Sequence, residues 1–162
     1  MDGRLRNMAS LYLLRGDKML LLWRVGSRVV APSWCGIGGH FERAELNDAR
    51  AALLREVQEE IGLTEEALCG LSLRYITLRL KQGEVRQNYY FFATLREGVR
   101  VRETCSEGTL RWVPLREVEV LPMPFTASEV LRHYLREGRK TQLLYGGIAQ
   151  DTGMVPVPLE EF

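Results

Sequence analysis

The chain has 162 residues, long enough for one domain with a sizeable core. Apolar residues make up 46% and charged residues 27%, as expected of a soluble globular protein. A formal net charge of +1 leaves no bulk electrostatic case for nucleic acid or a membrane surface. Met8 to Leu14 and Lys18 to Arg24 read as two strands, and Arg15-Gly16-Asp17 between them suits a tight hairpin turn. The run Met19-Leu20-Leu21-Leu22 does not alternate, so its strand is expected to be covered on both faces. The longest apolar stretch, Met19 to Trp23, is far too short to span a bilayer. The first residues lack the basic-then-apolar pattern of a secretory signal, and a cytoplasmic location is expected. Cys35, Cys69 and Cys105 are odd in number and far apart, which indicates neither a zinc site nor a disulfide framework.

Val25 to Ser33 reads as a loop with Arg24 and Arg28 beside it. These arginines either grip phosphate oxygens or are solvated surface charges. Trp34 reads as a packing anchor before a Gly-rich turn. A helix then starts at Asn47 or Asp48, both good N-caps, and ends at Gly62, with Leu63 folding back after it. Leu53, Leu54, Val57 and Ile61 form its apolar stripe. Glu56 and Glu60 lie four apart on another side, with Glu59 three residues from Glu56. Like charges at these spacings destabilise a helix, and negative charge in its last turn opposes the dipole. Local violations inside a well-formed element mark functional sites. A hard divalent cation would relieve both penalties by taking carboxylate oxygens and sharing them with substrate phosphates.

Leu71 to Leu80 is strand-like, with a change of apolar phase near Tyr75-Ile76 that predicts a bulge. Lys81 to Glu84 is a turn, and Val85 to Leu95, with Tyr89-Tyr90-Phe91-Phe92, reads as a central strand. Gly98 to Glu107 reads as a polar loop, Thr109 to Val113 as a strand, and Leu115 to Val120 as a short turn. A helix is expected from Thr126 to about Arg136 with a Ser or Thr cap, carrying His133 at its surface or in the core. The tail, Thr141 to Val157, suits a last hairpin turning at Gln150 to Gly153. This order of elements predicts an α/β or α+β sandwich.

Gly39, Glu45, Arg55, Glu56, Val57, Glu59, Glu60, Gly62 and Leu63 match the Nudix box in order, and the chain resembles that family. Nine residues rather than seven separate Glu45 from Arg55, and the extra two belong in the turn around Leu46-Asn47. Ile37 stands where the family often has Pro, and Ala44 where Gly is frequent. The resemblance implies a Nudix fold over one domain, residues 1–162, with a mixed, curled sheet sandwiched between helices. It implies Mg²⁺-dependent, or Mn²⁺-dependent, hydrolysis of a nucleoside diphosphate linked to another group. The Gly38 carbonyl, Glu56, Glu59 and Glu60 would hold the metal, joined by Glu107 or Glu103 ahead of Trp112-Val113-Pro114. Glu59 is the first choice of base, Glu56 shares the catalytic set, and Arg55 would orient the glutamates. Arg24, Gly39, His40 and Phe125 are the candidate substrate contacts, with Met123 an alternative to Phe125.

The Trp112-Val113-Pro114 run and Leu121 to Phe125 resemble the MutT-type branch of the family. That implies a (deoxy)nucleoside triphosphate or oxidised nucleotide, split into pyrophosphate and monophosphate. Alternatives are ADP-ribose, another nucleotide-sugar or a dinucleotide, or a ligand sensor without turnover. No Pro lies between Glu65 and Val113, so the proline marker of many ADP-ribose hydrolases is missing. The partner expected is a small nucleotide, with neither nucleic acid nor membrane, and a homodimer is left open.

Overall fold

The computed structural model describes residues 3–25 and 31–161. In chain order the elements are β1 (Leu5–Arg15), β2 (Lys18–Arg24), β3 (Ser33–Cys35), α1 (Ala49–Ile61), β4 (Leu68–Lys81) and β5 (Glu84–Leu95). They continue with β6 (Thr104–Cys105), β7 (Gly108–Pro114), α2 (Leu115–Val118), α3 (Phe125–Arg136), β8 (Leu144–Gln150) and β9 (Gly153–Leu159). The strands form one sheet in the order β6-β7-β2-β1-β5-β4-β8-β9, with β3 also on β2. It is mixed: β1 runs parallel to β5 and β4 to β8, and the other pairs are antiparallel.

Side chains alternate across the sheet and sort into two cores. Leu11, Leu13, Leu20, Leu22, Phe91 and Ala93 pack with Leu53, Val57 and Ile61 of α1. Tyr12, Met19, Leu21, Tyr90 and Phe92 pack with Val130, Leu131 and Tyr134 of α3. The four apolar residues Met19 to Leu22 are therefore buried in turn on opposite faces, which explains their missing alternation. The sheet lies between helices, as the α/β (α+β) expectation requires.

Asp48 caps α1 by accepting from the Ala51 N–H at 2.9 Å. Gly62 ends it in the left-handed region, φ 70°, donating to the Gln58 carbonyl at 3.0 Å. A short 3₁₀ turn, Arg43–Glu45, and the exposed Leu46-Asn47 precede the cap, so the two extra residues fall outside the helix. Elsewhere the structure shifts several boundaries. The β4 irregularities lie between Cys69 and Ser72 and between Leu73 and Tyr75, just ahead of the expected bulge. The loop from Gly98 contains β6, and Leu115–Val118 closes into a helical turn. Helix α3 begins at Phe125 behind Pro124, without a hydroxyl cap; Ser128 Oγ instead donates to the Phe125 carbonyl at 2.8 Å. Arg74, 4% exposed, ties the connection between α3 and β8 to the sheet by donating to the carbonyls of Gly138, Thr141 and Leu143 at 2.9–3.0 Å.

Candidate active site

Residues 37–41 run antiparallel beside β1. The Leu11 N–H donates to the Ile37 carbonyl at 2.7 Å, Ala9 to Gly39 at 3.0 Å, and the Phe41 N–H to Asn7 at 3.1 Å. The carbonyls on either side of Gly38 are thus used by β1. Gly38 adopts φ 144°, and a Cβ there would lie 2.1 Å from the Ala9 carbonyl oxygen. A Cβ on Gly39 would lie 2.6 Å from Oε1 of Glu56. Gly38 therefore lets this segment lie close against β1, and Gly39 lets the Glu56 carboxylate rest against backbone.

Glu60 is 5% exposed. Its Oε2 accepts from the Gly38 N–H at 2.9 Å, and its Oε1 has no hydrogen-bond partner among the described residues. Burial pushes its carboxyl up to about 8; the Gly38 N–H and Arg24 oppose this, while Glu107 and Glu56 add to it. Arg24 stands 3.7 Å from Glu60 and forms an ion pair with Glu107, which brings the β6–β7 turn to the helix. Burial also raises Glu56, against the pull of Arg55.

Arg55 uses all five of its N–H groups. It grips Glu45 with two bonds, at 2.8 and 3.1 Å, and donates to Glu56 at 2.9 Å, Glu59 at 3.0 Å and the His40 carbonyl at 3.0 Å. The paired bond from Arg55 holds the Glu45 carboxyl below the usual carboxylate range. Glu45 also accepts from the Glu42 N–H at 2.8 Å, so it anchors the arginine from the turn. The Glu59 side chain is 59% exposed and is the most accessible of the helix carboxylates. Arg24 and Glu107, with Cys105, Ser106, Gly108 and Thr109, line an open cleft of about 550 Å³ beside this cluster.

The family model for the NUDIX domain matches residues 4–134. The chain belongs to the Nudix family. Its members are hydrolases of phosphoric anhydride bonds in small nucleotide substrates, and they use divalent metal ions. The chain is similar to the mutator MutT protein of Bacillus halodurans at 23% identity, covering 96% of this chain and 95% of that one, with a TM-score of 0.68. It is also similar to an Ap4A hydrolase of C. elegans at 21% identity, covering 80% and 94%, with a TM-score of 0.63. The Nudix domain of Shewanella oneidensis NrtR, solved with ADP-ribose, gives 15% identity, 87% and 90% coverage and a TM-score of 0.63. At these identities the likeness concerns the fold.

The Nudix box residues are brought together as a cluster of Glu45, Arg55, Glu56, Glu59 and Glu60, with Arg24 and Glu107 from β2 and the β6–β7 turn. Two candidates point elsewhere. His40 pairs with Met8, so its side chain turns to the Tyr12 side of the sheet and accepts from Arg6; only its carbonyl meets the cluster. Period-two alternation is the cause, because Gly39 faces α1 and its neighbour must face away. Phe125 starts α3 on that same far side, with the Arg79 guanidinium 5.3 Å from its ring centroid. Arg28 lies outside the described residues. Trp34 packs as an anchor, its ring 5.1 Å from that of Trp23, while its backbone N–H donates to the Pro122 carbonyl at 2.9 Å. The Glu45 anchor and the Arg24–Glu107 bridge are additions that only the fold reveals.

Among the described residues no three carboxylate, imidazole or thiol groups converge on one point, because Arg55 and Arg24 hold the glutamates. The donor set still fits a hard divalent cation: clustered carboxylates, with a buried Glu60 oxygen lacking a partner.

Proposed function

We propose that this chain is a Mg²⁺-dependent pyrophosphohydrolase of (deoxy)nucleoside triphosphates or their oxidised forms. The observation that carries the reading is the unpartnered buried oxygen of Glu60, beside Glu56 over the Gly38-Gly39 turn. Glu56, Glu59, Glu60, Glu107 and the Gly38 carbonyl are the residues that would hold Mg²⁺ or Mn²⁺. An ion there supplies Lewis acidity toward a phosphoryl oxygen and toward water. Arg55 fixes the rotamers of Glu56 and Glu59, and Glu59, the most accessible helix carboxylate, takes the proton from the attacking water. Arg24 at the cleft supplies positive charge for the phosphate chain. The triphosphate class rests on the resemblance of Trp112-Val113-Pro114 and of Leu121 to Phe125 to the MutT-type branch. The last hairpin lies beyond the family match, yet β8 pairs with β4, which supports one domain over residues 1–162.

The test is pyrophosphate release from a panel of nucleoside triphosphates, oxidised deoxynucleotides, ADP-ribose and dinucleoside polyphosphates, with Mg²⁺ and with EDTA. Triphosphates should lead the panel, and EDTA should abolish turnover. An ADP-ribose kcat/KM higher by about tenfold, about 1.4 kcal/mol in transition-state stabilisation, would overturn the substrate class.

A further inference from the structure

We propose that the uncovered face of β4, β8 and β9 is a docking surface for a second copy of this chain, packed face to face about a two-fold axis. Seven of the eleven exposed large hydrophobic residues among those described stand on this face. The strand register sets them in rows. Leu5 and Leu80 flank Val85. In the next row Leu78, Ile148 and Val155 stand side by side. Ile76, Gly146 and Val157 follow, and Leu159 closes the face opposite Leu144. Ile76 pairs with Tyr89, which packs against the α1 core, so this is the α1 side of the sheet. The His40 ring and Phe125 lie on the other side. Phe41 covers Tyr89, with ring centroids 5.2 Å apart. Beyond it Ile148 is 64% exposed and Val155 76%.

No charged side chain stands in these rows. The same strands carry Arg6, Arg79, Lys81, Glu84 and Arg86, and alternation puts all five on the opposite face. The apolar rows measure about 25 Å by 20 Å, roughly 500 Å² on each copy, from the usual strand spacing and rise. A monomer rarely leaves so large an apolar patch in water. Two copies together would bury about 1,000 Å², the size at which specific interfaces begin.

The free edge of the sheet does not offer the same opportunity. Pro156 and Pro158 lie two apart in β9 and so point the same way, and pairing with β8 along the strand makes that way outward. Two outer donors are missing, which blocks addition of another strand. With the edge closed and the face open, packing of sheet on sheet at about 10 Å is the mode that remains. A lipid surface is a poorer fit, because interfacial binders combine an apolar face with Lys and Arg, and these rows hold none. A second copy meets the rows with equally uncharged ones. It also brings matching relief. Gly146 leaves a hollow between Ile76 and Val157, beside the projecting Ile148 and Val155. A two-fold axis sets the ridge of each copy into the hollow of the other. The open groove there holds about 760 Å³, and Glu129, its one charged lining residue among those described, is already paired with Arg132.

Sedimentation velocity of the full chain, from about 1 to 200 µM, tests the proposal, since an interface of this size gives a Kd on the order of 10 µM. Wild type should pass from the 18.6 kDa monomer to a dimer over this range. Val155→Lys should weaken the dimer at least about tenfold, because each dimer would then bury two unpaired charges. Lys is at home on an edge strand, so the variant should fold, and a melting curve checks this. Val120→Lys, at an 82% exposed position away from the face, should leave the dimer unchanged. If Val155→Lys does not fold, Val155→Thr keeps the β-branch and should still weaken the dimer about threefold or more, since both copies carry the change. A chain that stays monomeric at 200 µM overturns the proposal. So does a dimer that the folded Val155 variant leaves as tight as wild type. A monomer that co-sediments with phosphatidylcholine vesicles assigns the face to lipid and overturns it equally.

Discussion

Glu60→Gln separates the cost of the buried carboxylate from its use. The amide oxygen can still accept from the Gly38 N–H at 2.9 Å, so the backbone contact survives. What disappears is a charge on a side chain 5% exposed, whose carboxyl burial raises to about 8. The folded pKa lies above the unfolded one. Glu60 therefore contributes stability that is complete below the ordinary glutamate pKa of about 4.3 and is lost as pH rises through the folded value. A shift of this size, in which the pull of Arg24 is already included, amounts to a few kcal/mol, on the order of 2–5. Metal-free wild type should lose that much stability relative to Glu60→Gln between about pH 5 and 8.5. The charge of Glu56 adds to the rise of Glu60, so the difference between the two proteins includes the repulsion between them. Denaturant unfolding in EDTA at several pH values measures it, and Mg²⁺ should restore wild type at high pH but not the variant. If Glu60→Gln is no more stable than wild type at pH 8.5 in EDTA, the buried-charge reasoning is wrong.

Glu59→Gln should fold normally and lose a factor on the order of 10² to 10⁴ in kcat; a rate within threefold of wild type at every Mg²⁺ concentration removes it as the base. Gly39→Ala places a Cβ 2.6 Å from Glu56 Oε1 and should lower apparent Mg²⁺ affinity by roughly 10–100-fold, read from the Mg²⁺ dependence of the rate. Arg74→Ala removes the donor of the Thr141 and Leu143 carbonyls, while Gly138 keeps the Thr141 N–H, and should cost about 2–4 kcal/mol in denaturant unfolding; a loss below about 0.5 kcal/mol would show that the clasp is replaceable.

What could be read from the sequence was local. Asp48 and Gly62 mark the ends of α1 by cap chemistry, and the spacing of Glu56 and Glu60 places both on one helix. The unalternating Met19 to Leu22 announced a strand buried on both sides. What escaped depends on pairing between distant segments. The placement of the His40 ring depends on such pairing: residues 37–41 lie beside β1, and alternation sets the ring on the Tyr12 side, next to Arg6. Arg24 meets Glu107 because β2 pairs with β7 and sets Arg24 opposite Gly108, a register with no local signal. The start of α3 was misplaced for a simpler reason: Pro124 occupies the cap position where a hydroxyl was sought.

The charges of the cluster bear on the proposed metal requirement. Glu45, Glu56, Glu59, Glu60 and Glu107, with the exposed Glu42 4.0 Å from Arg55, outnumber Arg24 and Arg55, so the cluster carries net negative charge. Protonation of Glu60, favoured by its burial, lowers that excess. A divalent cation would lower it further. Arg55 spends its two Glu45 bonds on anchorage and single bonds on Glu56 and Glu59, so those two can exchange a guanidinium partner for a metal while Arg55 stays in place. Glu60 has no such bond to lose on Oε1, and its proton must leave for it to act as a ligand. Metal affinity should therefore rise with pH across the neutral range, with about one proton released per ion bound, and calorimetry in buffers of different ionisation enthalpy counts that proton. A count near zero at pH 7 would mean that Glu60 is already ionised, and the arginines alone would then balance the site.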